Sequence, residues 1–331
     1  SVDIDDMAYV LSIGMDEESA DNILFTFQIA VPLNISGGVE TGFAESEESV
    51  TVHNISIIAK DLFSAIEIAN NQLAKEINIS HCKIVLLSER ITSKVFREVV
   101  STINNYDEFR PDTLIALCGI NVQEYLNSIS SPFEKNPARY YDAFFKKNFS
   151  SQDFYTEINQ FEKNIVQVIP LLSENPTDSK SVILNDYNNI AILSEEETIA
   201  YKILSGKFSK GNITTPELNT AIMLQQNTSP KIFVNTTEQK PIYKIKLSFH
   251  IKPPHTESAT SKTKKETEKY IKQICFNFLT KTTKELGIDT LGLIDISKPQ
   301  FLTINSFESY NWSKKIKTAE FDVIVNCDLK K

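Results

Sequence analysis

At 331 residues, with 41% hydrophobic and 23% charged residues, the chain has an ordinary globular composition and room for two or three domains. Its 9 glycines and 4 scattered cysteines exclude a collagen-like chain, a disulfide framework and a CxxC zinc site, and no apolar run is long enough to span a membrane. The net charge of −9 is uneven, since residues 241–331 carry 16 Lys and Arg against 10 Asp and Glu and the rest carries −15. A basic end on an acidic body suits an anionic partner or membrane surface, or is a plain solvated face.

In chain order, Ala8–Val31 reads as two strands. Tyr9, Leu11, Ile13 and Met15 alternate in the first, and Ile23, Phe25, Phe27, Ile29 and Val31 in the second, across a polar turn. Pro32 opens an acidic loop, and Val50–Ile58 is a third strand. Lys60–Ile77 is a helix by the stripe Leu62, Ile66, Ala69, Leu73 and Ile77. Lys83–Leu87 is apolar after its first residue, as in a strand covered on both faces. A helix over Ser93–Asn104 carries Val95, Val99 and Ile103. Arg110-Pro111 breaks the chain before a buried strand, Thr113–Cys118, and Val122–Ile129 starts another helix. Cys82 and Cys118 fall in strands and are read as buried free thiols rather than a pair. The order predicts a mixed sheet with helices on at least one face. No GxGxxG follows any strand, which argues against a dinucleotide site.

Tyr140, Tyr141, Phe144 and Phe145, beside Lys146 and Lys147, form a short aromatic helix. It reads as domain-junction packing or as a membrane-docking edge. Ile165–Leu172 is a strand, and Ser181–Leu184 and Asn189–Leu193 form a hairpin. Ser194 and Glu197 make a capping box for a helix that stops at Gly206. Glu195, Glu196 and Glu197 suit the positive end of that helix better than a metal. Pro241–Lys252 alternates as a long strand, and Ser258–Leu286 is the longest helix, with 7 Lys against 3 Glu. Lys262, Lys265 and Lys269 are its candidate partner or membrane surface. Phe321–Leu329 is the last strand. The fold class is α+β and multidomain. A mixed sheet with helices occupies 1–160, a small α/β domain 161–240, and an antiparallel sheet on one long helix 241–331.

Chemistry is hard to find in these residues. There is no HExxH, GxSxG, Walker or EF-hand pattern, and the four histidines (His53, His81, His250, His255) lie apart. The chain is read as a non-enzyme with no catalytic residue, cofactor or metal.

Several local patterns resemble one family in order. They are Asp3-Ile-Asp-Asp-Met-Ala-Tyr-Val10, Ile13-Gly14-Met15-Asp16, Cys82-Lys-Ile-Val-Leu-Leu-Ser-Glu89 and the Phe109-Arg110-Pro111 break. Asn189-Ile-Ala-Ile-Leu-Ser-Glu-Glu-Glu-Thr198 with Gly206, Asp289-Thr-Leu-Gly292 and Trp312 follow. Together they resemble the Ger(x)C proteins, lipoprotein C subunits of spore germinant receptors in endospore-forming bacteria. One departure is Leu293-Ile294, where the family often has a second glycine. The resemblance implies three domains and no known catalytic residue. It also implies a lipid anchor on the outer face of the inner spore membrane, and assembly with integral-membrane A and B subunits for nutrient-triggered germination. The lipidated cysteine would lie a few residues before Asp3, leaving Ser1–Met7 as a leash of roughly 25 Å. An extracytoplasmic germinant-binding protein and a hydrolase remain as rivals. Nucleic-acid binding is disfavoured by the acidic body.

Overall fold

The computed structural model describes residues 7–19, 21–31, 51–110, 113–128, 166–173, 180–253 and 261–329. The chain divides into two compact units, 1–192 and 193–331.

The first unit is built on β1 (Met7–Ser19) and β2 (Asn22–Val31), followed by β3 (Thr51–Ala59), α1 (Leu62–Leu73), β4 (Glu76–Asn78) and β5 (Ile84–Ser88). After these come α2 (Ser93–Asn105), β6 (Leu114–Cys118), α3 (Val122–Ser128), β7 (Val166–Leu172), β8 (Lys180–Asn185) and β9 (Asn188–Leu193). The strands form one mixed sheet in the order β3-β2-β1-β5-β6-β7-β8-β9, and β4 pairs with the start of β1. β1 is therefore interior, antiparallel to β2 and parallel to β5.

Alternation along β1 sorts residues between two cores. Ile13 and Met15 face the side of α1 and α2, opposite Phe27 and Phe25, and pack with Leu62, Ala65, Phe96 and Val99. Ser12, Gly14 and Asp16 face the other side. There α3 lays Val122 and Leu126 over Ile84, Leu86, Leu114 and Ala116. Helices thus cover both faces, which explains why β5 and β6 read as unbroken apolar runs.

Two predicted helices shift in detail. α1 ends at Leu73 because Ala74 turns left-handed (φ 50°), and Asn70 Oδ1 accepts from the Ile77 amide at 2.7 Å. Ile77 is therefore a strand residue in β4 rather than the last rung of a helix. On α2 the buried stripe is Phe96, Val99, Val100 and Ile103, with Val95 only partly covered.

The β8–β9 hairpin turns through Asp186 (φ 48°) and Tyr187 (φ 66°). Two consecutive positive φ values match the tight turns that follow strand twist. Arg97 on α2 clamps this turn, bonding Asp186 at 2.7 Å and lying 4.6 Å from the Tyr187 ring centre, while Phe96 packs edge-on against that ring. β7, β8 and β9 consequently continue the first sheet.

The second unit contains α4 (Glu195–Ser205), β10 (Lys210–Thr214), β11 (Ala221–Gln226), β12 (Lys231–Thr236), β13 (Pro241–Lys252) and α5 (Ser261–Leu279). α5 continues into a π turn, Thr280–Glu285, and α6 (Leu293–Ser297), α7 (Ile304–Tyr310), α8 (Trp312–Lys315) and β14 (Glu320–Leu329) complete it. β13 is the spine. β12 and β11 pair antiparallel along successive stretches of it, and β14 runs parallel to nearly its whole length. The sheet is thus antiparallel except for β14. The chain between β13 and β14 crosses over through helices, a connection that returns the last strand in the same direction. Tyr243, Ile245, Leu247, Phe249 and Ile251 are buried under the helices, and Lys244, Lys246 and Lys252 face solvent. One covered face gives this clean alternation.

Candidate interaction surface

α5 separates its residues cleanly. Thr263, Thr267, Ile271, Ile274, Cys275, Phe278 and Leu279 are buried, while Lys262, Lys265 and Lys269 are exposed on the opposite side. The structure brings these three lysines onto one face. It also extends the row with exposed Lys272 and Phe276, at the same three-and-four spacing. The helical period alone would have found both. From Lys262 to Lys272 the row runs about 15 Å at 1.5 Å per residue. Lys269 is partly neutralised by Glu217 (3.4 Å) and Glu266 (3.8 Å). The aromatic candidates Tyr140, Tyr141, Phe144 and Phe145 lie outside the described residues.

The lysine face is held on a fixed platform. Glu268 accepts from the Cys327 amide at 2.9 Å and so ties α5 to β14. Tyr270 donates to Glu196 at 2.7 Å, and Lys281 reaches Glu197 at the same distance. Desolvation and the adjacent Glu196 both push the Tyr270 hydroxyl pKa upward. Glu197 also closes the capping box with Ser194. Burial pushes its carboxyl up, but the Lys281 ammonium and the Ser194 amide and hydroxyl outweigh this and hold it below the usual range. Glu196 and Glu197 are thereby committed to α5 and its π turn. Asp289 accepts from the amides of Leu291, Leu293 and Ile294 at 3.2, 2.9 and 2.9 Å, and Gly292 turns left-handed (φ 70°). The Asp289-Thr-Leu-Gly292 pattern is thus a turn that starts α6.

Among the described residues, no helix is long and apolar enough to cross a membrane, and no three His, Cys, Asp or Glu side chains gather as for a metal. In the first unit a cavity of about 200 Å³ is lined by Met7, Ala8, Ile29, His53, Ile55, Leu73 and Lys75. It is smaller than the several hundred Å³ usual for small-molecule sites. All four cysteines are buried and free. The Ile84↔Leu114 register sets Cys118 about 20 Å along the strands from Cys82, out of disulfide reach. Burial pushes the Cys82 thiol up to about 12 and Cys118 to about 11.

The model "Spore germination protein N-terminal domain" matches residues 1–173, and "Spore germination B3/GerAC like, C-terminal" matches residues 179–331. Spore germination protein KC of Bacillus subtilis (strain 168) is 23% identical over 137 residues, which are 41% of this chain and 33% of that protein. The aligned part thus spans about a third of that relative's length. The crystal structure of the GerBC protein superposes with a TM-score of 0.59 at 14% identity, over 96% of this chain and 97% of that one. At that identity the likeness shows the fold. With the two models matching almost from end to end, the chain belongs to the GerAC family of spore germination proteins.

Proposed function

We propose that this chain is a non-catalytic subunit of a spore germinant receptor, lipid-anchored at the outer face of the inner spore membrane and working through contacts with integral-membrane A and B subunits. The family match along both units carries this reading. The exposed row Lys262, Lys265, Lys269 and Lys272 supports a contact surface there, because α5 is locked to α4 and β14 and holds the row without rearrangement, with Lys269 partly neutralised by its two glutamates. A pre-set row of cations favours fast, oriented encounter with an acidic partner more than raw affinity.

Crosslinking of the full-length protein in spores, mapped to residues, tests the proposal. Crosslinks from α5 to integral-membrane receptor subunits are the expected result. The triple variant Lys262→Glu, Lys265→Glu, Lys269→Glu should slow nutrient-triggered germination and leave a nutrient-independent trigger unaffected. Unchanged crosslinks and unchanged germination in that variant would remove α5 as the contact. Normal nutrient germination without the protein would remove the receptor role altogether.

A further inference from the structure

We infer that the second unit carries its own lipid-binding tip at residues 301–304, which inserts Leu302 and Ile304 into the boundary of an anionic membrane. This inference extends the proposed function without depending on the receptor subunits. Leu302 is 102% exposed and Ile304 76%, the two most exposed large hydrophobic side chains among the described residues. They flank Thr303, which caps α7 through reciprocal hydrogen bonds with Ser306. The tip is therefore held in shape while its apolar groups point at solvent.

Behind the tip stands a ladder of rings. Phe301 packs on Phe307 at 5.5 Å and on Tyr310 at 5.1 Å, Tyr310 on Trp312 at 5.1 Å, and Trp312 on Tyr243 of the spine strand at 6.3 Å. Lysines sit at the level of these rings and not at the tip. Lys298 Nζ is 5.8 Å from the Phe307 ring centre and Lys315 Nζ 4.0 Å from that of Tyr310, and Lys314 and Lys317, on either side of Lys315 in the chain, are exposed. Asp295 pairs with Lys298 at 2.5 Å, Lys315 also donates to the backbone carbonyl of Glu238, and Glu308 and Glu238 are exposed acids beside these lysines.

Leu302 and Ile304 thus project ahead of half-buried Phe301 and Phe307, with Lys298 and Lys315 beside the rings and Tyr310 and Trp312 buried behind them. An aliphatic tip backed by aromatic and cationic groups suits the acyl boundary just beneath a phosphate layer. Charge complementarity points to anionic lipid. Size points the same way, because a protein interface needs about 800 Å² per partner. Two aliphatic side chains on a point fall far short of that, whereas lipid insertion accumulates side chain by side chain.

The experiment is co-sedimentation of the purified chain with vesicles of mixed phosphatidylglycerol and phosphatidylcholine, compared with phosphatidylcholine alone. Binding should require the anionic lipid and weaken with salt. The double variant Leu302→Asp, Ile304→Asp should lower the partition coefficient about tenfold or more at unchanged melting temperature, since both positions are outside the core. Lys314→Glu with Lys317→Glu should weaken binding and flatten its salt dependence. In a Leu302→Trp variant, the added indole emission should shift to the blue on vesicles. Equal binding by wild type and the Leu302/Ile304 variant overturns the inference, as does no binding by wild type. Loss of binding only in the α5 lysine variant also overturns it and leaves the receptor reading standing. A concentration-dependent dimer that Leu302→Asp abolishes would assign the tip to a second copy instead.

Discussion

Asp16 caps a helix that begins 106 residues further along the chain: its carboxylate accepts from the Val122 amide at 3.0 Å and from the Gln123 amide at 3.2 Å. Asn121 takes the Glu124 amide at 2.9 Å, so the first three amides of α3 are all satisfied. Burial pushes the Asp16 carboxyl above its ordinary range, against the pull of the two amides. Asp16→Ala leaves those donors without an acceptor and should cost about 1–2 kcal/mol in chemical denaturation. Asp16→Asn keeps one acceptor and should cost less.

Gly14 is the second half of the same arrangement. A Cβ there would lie 2.6 Å from Val122 Cγ1 and 2.8 Å from Leu126 Cδ1, so α3 rests on the bare backbone of β1. Gly14→Ala is expected to destabilise by about 1–3 kcal/mol through overpacking. Leu126→Ala in the Gly14→Ala background should cost less than in wild type, because it opens room for the new methyl. A double-mutant cycle with no coupling would refute the contact.

Glu197 makes the second unit sensitive to acid. Its carboxyl is held below the usual range in the folded state, so its stabilisation is present above the unfolded carboxylate pKa and is lost as pH falls through the folded value. Glu197→Gln breaks the Lys281 pair and half of the capping box. A loss of roughly 1 kcal/mol is expected at neutral pH. The gap between wild type and variant should close below about pH 4 in thermal melts.

Lys202 on α4 has the opposite sign. Desolvation lowers its pKa from 10.5 to about 8, so the unfolded chain binds more protons between these values and stability rises with pH across that window. The rise should be up to about 3 kcal/mol. Lys202→Met should flatten the dependence between pH 8 and 10.5, followed by denaturant melts.

Local physics made much of the architecture readable. The alternation of Tyr9 to Met15 and of Ile23 to Val31 marked β1 and β2. The capping box at Ser194, its stop at Gly206 and the buried stripe of α5 follow from contacts within one helix. β10 to β12 and the short helices α6 to α8 were not legible, because elements of about one or two turns, or with apolar residues in an unbroken short run, are too short for a period to show. The resemblance found in ordered short patterns agrees with the family matches over both units.

The sequence by itself determined the local periods, the caps, the family and one lysine face, since each depends on residues close together in the chain. Only the tertiary structure decided which strands are neighbours. It placed β1 between β2 and β5, joined β7, β8 and β9 to the first sheet and turned β14 parallel to β13. It also turned the Ile13-Gly14-Met15-Asp16 pattern into a seat and cap for α3. Leu302 and Ile304 show the same limit from the other side. Exposure depends on what else covers a residue, and no local pattern records that.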